Sequence, residues 1–297
     1  MRKYYLCASL SILCWSTVAT ITKLMLTSLS SWQVLFVSSF FAGASLLIFN
    51  IANKKIKCLA TLRLPDYLKI LGGFLPATLL YYVFYYSGTA IMPASQAFVV
   101  NYLWPVMSVI FAYFLLNERI TPIKLGGILL SFTGVIIVIS QDLIALNSSM
   151  LLGALFCVLG AISYGAFTGL SRKTGYDKSL SLMLSYFATF LITGLVLLPG
   201  NNLPRLDGAQ MLGLAWNGIA TMGLANMMWM LALSSKDTAR ISNLAYITPV
   251  LSLVWLAIFL KEPISVFSII GLGVILLGIF IPPLYEKWCD RRNEKTQ

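Results

Sequence analysis

Ten long apolar runs divide this chain, and the short polar stretches between them carry nearly all of its charge. The runs cover 4–26, 32–52, 67–87, 94–116, 121–140, 150–171, 180–198, 209–234, 239–260 and 264–285. A helix needs roughly 20 apolar residues to cross the hydrocarbon core of a bilayer, so each run predicts one membrane-spanning helix. The first run follows Arg2 and Lys3, as the core of a signal peptide would. It outlasts the roughly 7–15 residues of such a core and reads as a span. The links are too short for a soluble domain. The predicted architecture is an all-α polytopic membrane protein, one bundle of ten transmembrane helices.

Several runs carry polar side chains at helical spacing. In residues 99–111, VVNYLWPVMSVIF, the face formed by i, i+3, i+4 and i+7 holds Asn101, Trp104, Pro105 and Ser108, with Tyr102 one position off it. The third run aligns Thr78, Tyr82, Tyr85 and Thr89, and the first aligns Ser11, Trp15, Val18 and Thr22. The eighth brings Asn226 and Trp229 together, and the ninth aligns Ser242, Tyr246 and Pro249 beside Thr248. A polar group at membrane depth must find a partner or line a wet cavity. Hydrogen bonding between helices is the ordinary use of a single Ser or Thr there. Asn101, Trp104, Tyr82 and Tyr85 together point instead to a cavity lining. Belts of Trp and Tyr at the membrane surface account for Trp32 and Trp288 at run edges, and not for Trp104 near the middle of its run. Pro105 and Pro249 each free a carbonyl one turn earlier, that of Asn101 and that of Ala245. Both are candidate hinge or gate positions, with a static packing kink as the plainer alternative.

Two of these segments are copies. Residues 101–118, NYLWPVMSVIFAYFLLNE, align with 245–262, AYITPVLSLVWLAIFLKE, at an offset of 144, and six of the eighteen positions are identical. Tyr102 matches Tyr246, Pro105 matches Pro249, and Glu118 matches Glu262. The same offset pairs Gly127 with Gly271 and Gly134 with Gly278. A weaker echo sets WSTVATITK (15–23) against YGAFTGLSR (164–172), which makes Tyr164 the counterpart of Trp15. The chain thus reads as two five-helix halves, 4–140 and 150–285, with a basic cytoplasmic tail at 286–297. An odd number of spans per half inserts the second half upside down. Inverted repeats are common in secondary transporters, whose substrate sites lie near the midplane at the repeat interface. Duplication in another kind of membrane protein is the alternative.

Charge sets the expected orientation. With the N-terminus in the cytoplasm, eighteen of the 21 Lys and Arg residues fall inside, and only Lys23, Arg205 and Lys261 fall outside. This split predicts both termini inside. It also accounts for the net charge of +11, since a basic rim beside anionic lipid suffices and no nucleic acid is implied as a partner. Only 10% of the residues are charged, against about 25% in an average soluble domain, so the lipid bilayer is the expected surrounding.

All ten Asp and Glu residues lie in loops, tails or run ends, and there is no histidine. The midplane therefore offers no carboxylate–imidazole proton relay and no counter-ion for a cation. A cation would rely on aromatic faces, at about 0.5–2 kcal/mol each. An aromatic zwitterion fits better, with its ring on Trp and Tyr and its charges on amides, hydroxyls and freed carbonyls. Lys23 is expected to snorkel to the outer surface, where it could meet a substrate carboxylate. Glu118 and Glu262 are expected to be structural, orienting their turns by pairing with the nearby Arg119, Lys124 or Lys261. Five cysteines without a CxxC pair, and no histidine, argue against the usual zinc and haem sites, so no metal or cofactor is expected. No nucleophile–base pair converges, so an enzyme is not expected either. Gly126, Gly127, Gly134, Gly271, Gly273 and Gly278 are expected to allow close helix packing, within the scaffold or at a homodimer contact.

The segments LWPVMSVIFAYFLLNER with KLGGILLSFTGV, and ITPVLSLVWLAIFLKEP with IIGLGVILLGI, resemble the Pro-centred span, L-x-E turn and Gly-rich final span that close each half in the EamA family of the drug/metabolite transporter superfamily. The likeness covers essentially the whole chain. More narrowly, VNYLWP (100–105), CWST (14–17) and YITPVLS (246–252) resemble bacterial aromatic amino acid exporters of the YddG type, VNYLWP being the more specific. The resemblance implies a ten-helix basket around a central cavity in the bacterial inner membrane. It also implies export of aromatic amino acids, with some members passing cationic drugs, and it carries Tyr102 and Trp104 over as site aromatics. The expected substrate-lining set is Asn101, Tyr102, Trp104, Tyr82, Tyr85, Trp15, Tyr164, Asn226, Trp229, Tyr246 and Thr248. Import or export of another metabolite (nucleoside-like compound, cofactor or cationic drug) stays open, and more remotely a structural or signalling role.

Overall fold

The computed structural model describes residues 2–144, 147–233, 241, 244–245 and 247–294. All regular structure among them is helical. The first run forms α1 (Arg2–Ser16) and α2 (Val18–Met25), which part at Thr17, where the side-chain hydroxyl donates to the Cys14 carbonyl at 2.7 Å. α3 (Ser31–Ala52) starts from a capping box, with Gln33 N–H on Ser30 Oγ (3.3 Å) and Ser30 N–H on Gln33 Oε1 (2.9 Å). α4 (Leu64–Leu75) and α5 (Tyr81–Ile91) are joined by a π-helical turn over Pro76–Leu80. Pro76 offers no N–H to the turn before it, and the Tyr81 N–H reaches back five residues to the Pro76 carbonyl. The fourth run is α6 (Ala94–Asn101) and α7 (Trp104–Leu116), and the next three are α8 (Pro122–Ile144), α9 (Ser148–Thr174) and α10 (Lys178–Leu197). The eighth is α11 (Gly208–Trp216), a π-helical stretch Asn217–Leu224 and α12 (Ala225–Leu233) in succession. α13 (Ile247–Trp255) runs on as a π-helical turn, Leu256–Leu260, and α14 (Val266–Glu294) follows.

Among the described residues, eight helices are long and apolar enough to cross a membrane, and Ile247–Leu260 is a shorter apolar helix. They track the apolar runs closely, with two differences. α14 continues through Pro282 and Pro283 to Glu294, so the expected tail begins as helix. Pro105 does not bend a continuous helix. α6 ends first, with the Tyr102 N–H on the Phe98 and Val99 carbonyls, and Pro105 sits in the first turn of α7, where a missing N–H costs nothing. Pro249 likewise sits in the first turn of α13.

The repeat has a backbone counterpart. Asn117 and Lys261, 144 positions apart, both end their segments in the left-handed region, at φ 55° and 50°. The glutamates that follow them do not use the neighbouring cations. Glu118 pairs with Arg172 at 3.1 Å, while Lys124 pairs with Glu286 at 3.5 Å. Glu262 accepts from the N–H groups of Ala94 (3.0 Å) and Ser95 (2.9 Å) and from Ser95 Oγ (2.6 Å). The expected local pairing with Arg119, Lys124 or Lys261 is therefore corrected. The unpaired amides at a helix N-terminus offer a carboxylate stronger donors than exposed side chains at the same turn.

α8 and α14 make a close antiparallel pair. A Cβ at Gly134 would lie 2.7 Å from the Gly271 carbonyl oxygen, and one at Gly127 would collide with the Gly278 carbonyl. Between them Ser131 Oγ donates to the Ile275 carbonyl at 3.3 Å. These glycines serve contact within the chain, whereas Gly126 and Gly273 face open space. Buried hydroxyls and amides tie other helices together. Thr78 and Ser185 share a 2.5 Å hydrogen bond, and Asn217 Nδ2 donates to Tyr86 OH (2.8 Å) and Ser38 Oγ (3.2 Å). Large apolar side chains such as Leu129, Ile136 and Leu277 point outward, as lipid-facing positions do.

Candidate functional site

The helix interruptions converge on one cavity of about 320 Å³. Trp15 and Val18 flank the α1–α2 break, Ala77 lies in the Pro76–Leu80 turn with Tyr81 just after it, and Phe98, Asn101, Tyr102 and Trp104 lie at the α6–α7 break. Irregular backbone at membrane depth is tolerated where it lines such a cavity. α5 adds Tyr82 and Tyr85, α9 adds Tyr164, Phe167 and Thr168, and α10 adds Leu182 and Tyr186. Asn226 and Trp229 of α12, with Ala245 and Thr248, complete the wall. Eleven of these nineteen residues are aromatic and none is charged.

Tyr81 is the hub of the rings, with centroids 4.8 Å from Tyr82, 5.8 Å from Tyr85 and 5.1 Å from Tyr164. Trp104 meets Tyr164 at 5.0 Å and 72°, and Trp15 meets Trp229 at 5.4 Å and 59°. These are the edge-on and tilted arrangements that aromatic quadrupoles favour. Asn101 Nδ2 donates to Tyr81 OH at 3.0 Å. Asn101 Oδ1 and Thr248 Oγ1 are buried with no hydrogen-bond partner among the described residues. Tyr102 OH donates to the Ala245 carbonyl at 3.4 Å, and that carbonyl also accepts the Thr248 N–H at 3.0 Å, so Pro249 does not leave it free. A buried polar atom without a partner costs about 1–3 kcal/mol, so Asn101 and Thr248 are under-satisfied positions beside the cavity.

Ten of the expected lining residues meet at this cavity: Asn101, Tyr102, Trp104, Tyr82, Tyr85, Trp15, Tyr164, Asn226, Trp229 and Thr248. Tyr246 lies outside the described residues. Tyr81, Phe98, Phe167 and Tyr186 were not anticipated. Three of them had a signal, since Tyr81 lies one turn before Tyr85, Phe98 one turn before Asn101 and Phe167 one turn after Tyr164. Lys23 is not free at a mouth, because its Nζ donates to the carbonyls of Thr89 (2.7 Å) and Met92 (2.8 Å).

This fold and cavity define a multi-pass helical membrane protein with an aromatic cavity among its described residues. The model of the EamA-like transporter family matches residues 2–140 and again 151–281, and the chain belongs to that family. The aromatic amino acid exporter YddG of Ancylobacter novellus is 25% identical over 182 residues, which cover 60% of this chain and 63% of the exporter. The S-adenosylmethionine uptake transporter of Rickettsia prowazekii is 28% identical over 197 residues, 63% of each chain. An uncharacterized transporter of Archaeoglobus fulgidus is 27% identical over 287 residues, 95% of this chain and 98% of that one. One crystal structure superposes with a TM-score of 0.69 over 97% of this chain and 99% of its own at 21% identity, which shows a shared fold.

Proposed function

We propose that the protein is a secondary transporter that exports small aromatic metabolites, most simply aromatic amino acids, across a bacterial inner membrane by opening this cavity to each side in turn. The observation that carries the reading is the wall itself, uncharged and with eleven aromatic residues among nineteen. A substrate ring gains about 0.5–1.5 kcal/mol per well-oriented aromatic partner. Asn101, Asn226 and Thr248 supply neutral partners for an ammonium and a carboxylate. The 320 Å³ volume lies at the small end of ligand sites, about ten waters' worth. That size suits a single amino acid better than an adenosylated sulfonium. A second reading, uptake of such a sulfonium, is favoured by the Rickettsia relative, and aromatic faces do bind onium cations.

Ten crossings, an inverted second half and cytoplasmic termini belong to the same proposal. Across the α8–α14 seam Ser131 meets Ile275, its own mate at offset 144. Gly127 meets the mate of Gly134, and Gly134 meets the mate of Gly127. This exchange is the mark of a two-fold axis. A two-fold axis relating antiparallel spans lies in the membrane plane, which supports inversion. The distribution of Lys and Arg supports the orientation.

Counterflow into proteoliposomes tests the function, with labelled Phe, Tyr, Trp and S-adenosylmethionine as substrates. Saturable counterflow of the aromatic amino acids is expected. Counterflow of S-adenosylmethionine alone selects the second reading, and counterflow of none of the four overturns both.

A further inference from the structure

Lys23 and Glu262 line no part of the cavity, yet they hold one end of it. Lys23 Nζ donates to the carbonyls of Thr89 and Met92, at the end of α5. Glu262 takes the N–H groups of Ala94 and Ser95 and the Ser95 hydroxyl, at the start of α6. The two opposite charges thus flank the same turn, Met92–Pro93, and attract each other. α6 is buried at all eight of its residues and carries Phe98 and Asn101 to the cavity wall.

Exposure is graded along the cavity. Toward the Lys23 end, Ala19, Thr20, Thr22, Tyr86, Thr89 and Cys157 are at most 4% exposed. Toward the end nearer the N-terminus, Trp15, Tyr164, Phe167, Thr168 and Trp229 are partly exposed although they line the same chamber. The residues around the cavity are more deeply buried toward the Lys23 end than toward the other. The repeat supplies a matching pair there. Lys23 aligns with Arg172 and Glu262 with Glu118. Arg172 and Glu118 meet at 3.1 Å, with side chains 60% and 52% exposed. In each pair the cation comes from the first span of one half and the carboxylate from the L-x-E turn of the other.

We propose that Lys23–Glu262 and Arg172–Glu118 are reciprocal clamps on the two mouths of the cavity, each binding the halves together when its mouth is shut. In this conformation Glu262 joins the halves through three hydrogen bonds to Ala94 and Ser95, and Lys23 braces the other side of the same turn through two bonds within its own half. The Arg172–Glu118 pair is in contact at 3.1 Å but exposed to solvent. Lys23 and Glu262 are positioning residues, acting through α6 rather than on substrate. The purpose of the clamps rests on the transporter reading, whereas their test needs no substrate.

The test places one reporter cysteine at Val18, on the cavity wall, in a variant whose native cysteines are replaced. A membrane-impermeant methanethiosulfonate is added from each face of sealed, oriented vesicles. Val18→Cys alone should label from the N-terminal face. Adding Glu262→Ala or Lys23→Met should raise labelling from the opposite face about tenfold, a one-decade shift between two states. Glu262→Gln, which keeps an acceptor but loses the charge, should give a smaller rise. Glu118→Ala should leave opposite-face labelling at its baseline. A merely structural role would lower the yield of folded protein without changing sidedness. Where Glu262→Ala does not fold, Lys23→Met and Glu262→Gln carry the same test. Unchanged opposite-face labelling in the folded variants overturns the clamp, as does strong opposite-face labelling before either residue is changed. A clamp that passes beside a null counterflow assay leaves the gating intact and rejects the proposed substrates.

Discussion

Replacing Trp104 with alanine removes the indole that meets Tyr164 at 5.0 Å. Trp104 stands in the first turn of α7 and is only partly buried, so its loss widens the cavity wall instead of hollowing a packed core. The expected cost is one aromatic partner for a bound ring, about 0.5–1.5 kcal/mol. At about 1.4 kcal/mol per decade, that weakens substrate affinity roughly 2- to 13-fold. Trp104→Phe keeps a ring at the same position and should stay within about twofold of the original. The assay is concentration-dependent counterflow of labelled tryptophan, with the thermal midpoint of each purified variant recorded beside it. The alanine variant should raise the half-saturating concentration while its thermal midpoint stays close to the original. An unchanged half-saturating concentration in Trp104→Ala would refute the assignment and leave Trp104 as wall packing.

Asn101→Leu deletes the donation to Tyr81 OH in a buried setting, which should cost about 1–3 kcal/mol and lower both the thermal midpoint and counterflow; original values of both would count against the pairing. Gly134→Val drives side-chain atoms into the Gly271 backbone, 2.7 Å from where a Cβ would stand. Overpacking of about 1–3 kcal/mol should lower the melting temperature in detergent, yet leave the half-saturating concentration of the folded fraction unchanged, because the seam lies off the cavity. The Asp177 carboxyl is pushed up by partial burial, but bonds from Lys55 (2.6 Å), Ser179 and the Leu180 N–H outweigh that and hold it below its ordinary range. A lowered carboxylate pKa contributes stability above the unfolded value of about 3.9 and loses it as pH falls through the folded value. Asp177→Asn should therefore destabilise at neutral pH by at most about 1 kcal/mol, given an exposed pair, and match the original protein in acid; a gap that persists in acid would contradict this.

The spans were legible because hydropathy is a property of consecutive residues, and most predicted boundaries fall within a few residues of the helices. Much of the cavity was legible as well, since Asn101, Trp104, Tyr82 and Tyr85 have no ordinary use at membrane depth. Tyr81 is part of the same pattern. The stripe drawn from Thr78 takes Tyr82 and Tyr85 at i+4 and i+7, although Tyr81 at i+3 shares that face and lies one turn before Tyr85. In the structure Thr78 faces Ser185, while all three tyrosines line the cavity. Tyr186 shares a helical face with Thr189 and Thr193 on α10, a stripe that the reading of the apolar runs did not take up. The partners of Glu262 lie 167 and 168 positions away, at Ser95 and Ala94. No local pattern announces them, whereas Lys261 and Arg119 are conspicuous as neighbours. Pro105 was read as a bend because the unwinding at Tyr102–Leu103, which lets it start a new helix, is a tertiary outcome.

The most direct test of the central claim is a structure determined with L-tryptophan bound at saturating concentration. The indole should lie with its centroid about 4.5–7 Å from the rings of Trp104 and Tyr164, with its ammonium or carboxylate within hydrogen-bonding reach of Asn101. Tryptophan bound outside this cavity, or a cavity without it in a preparation that transports it, would contradict the claim.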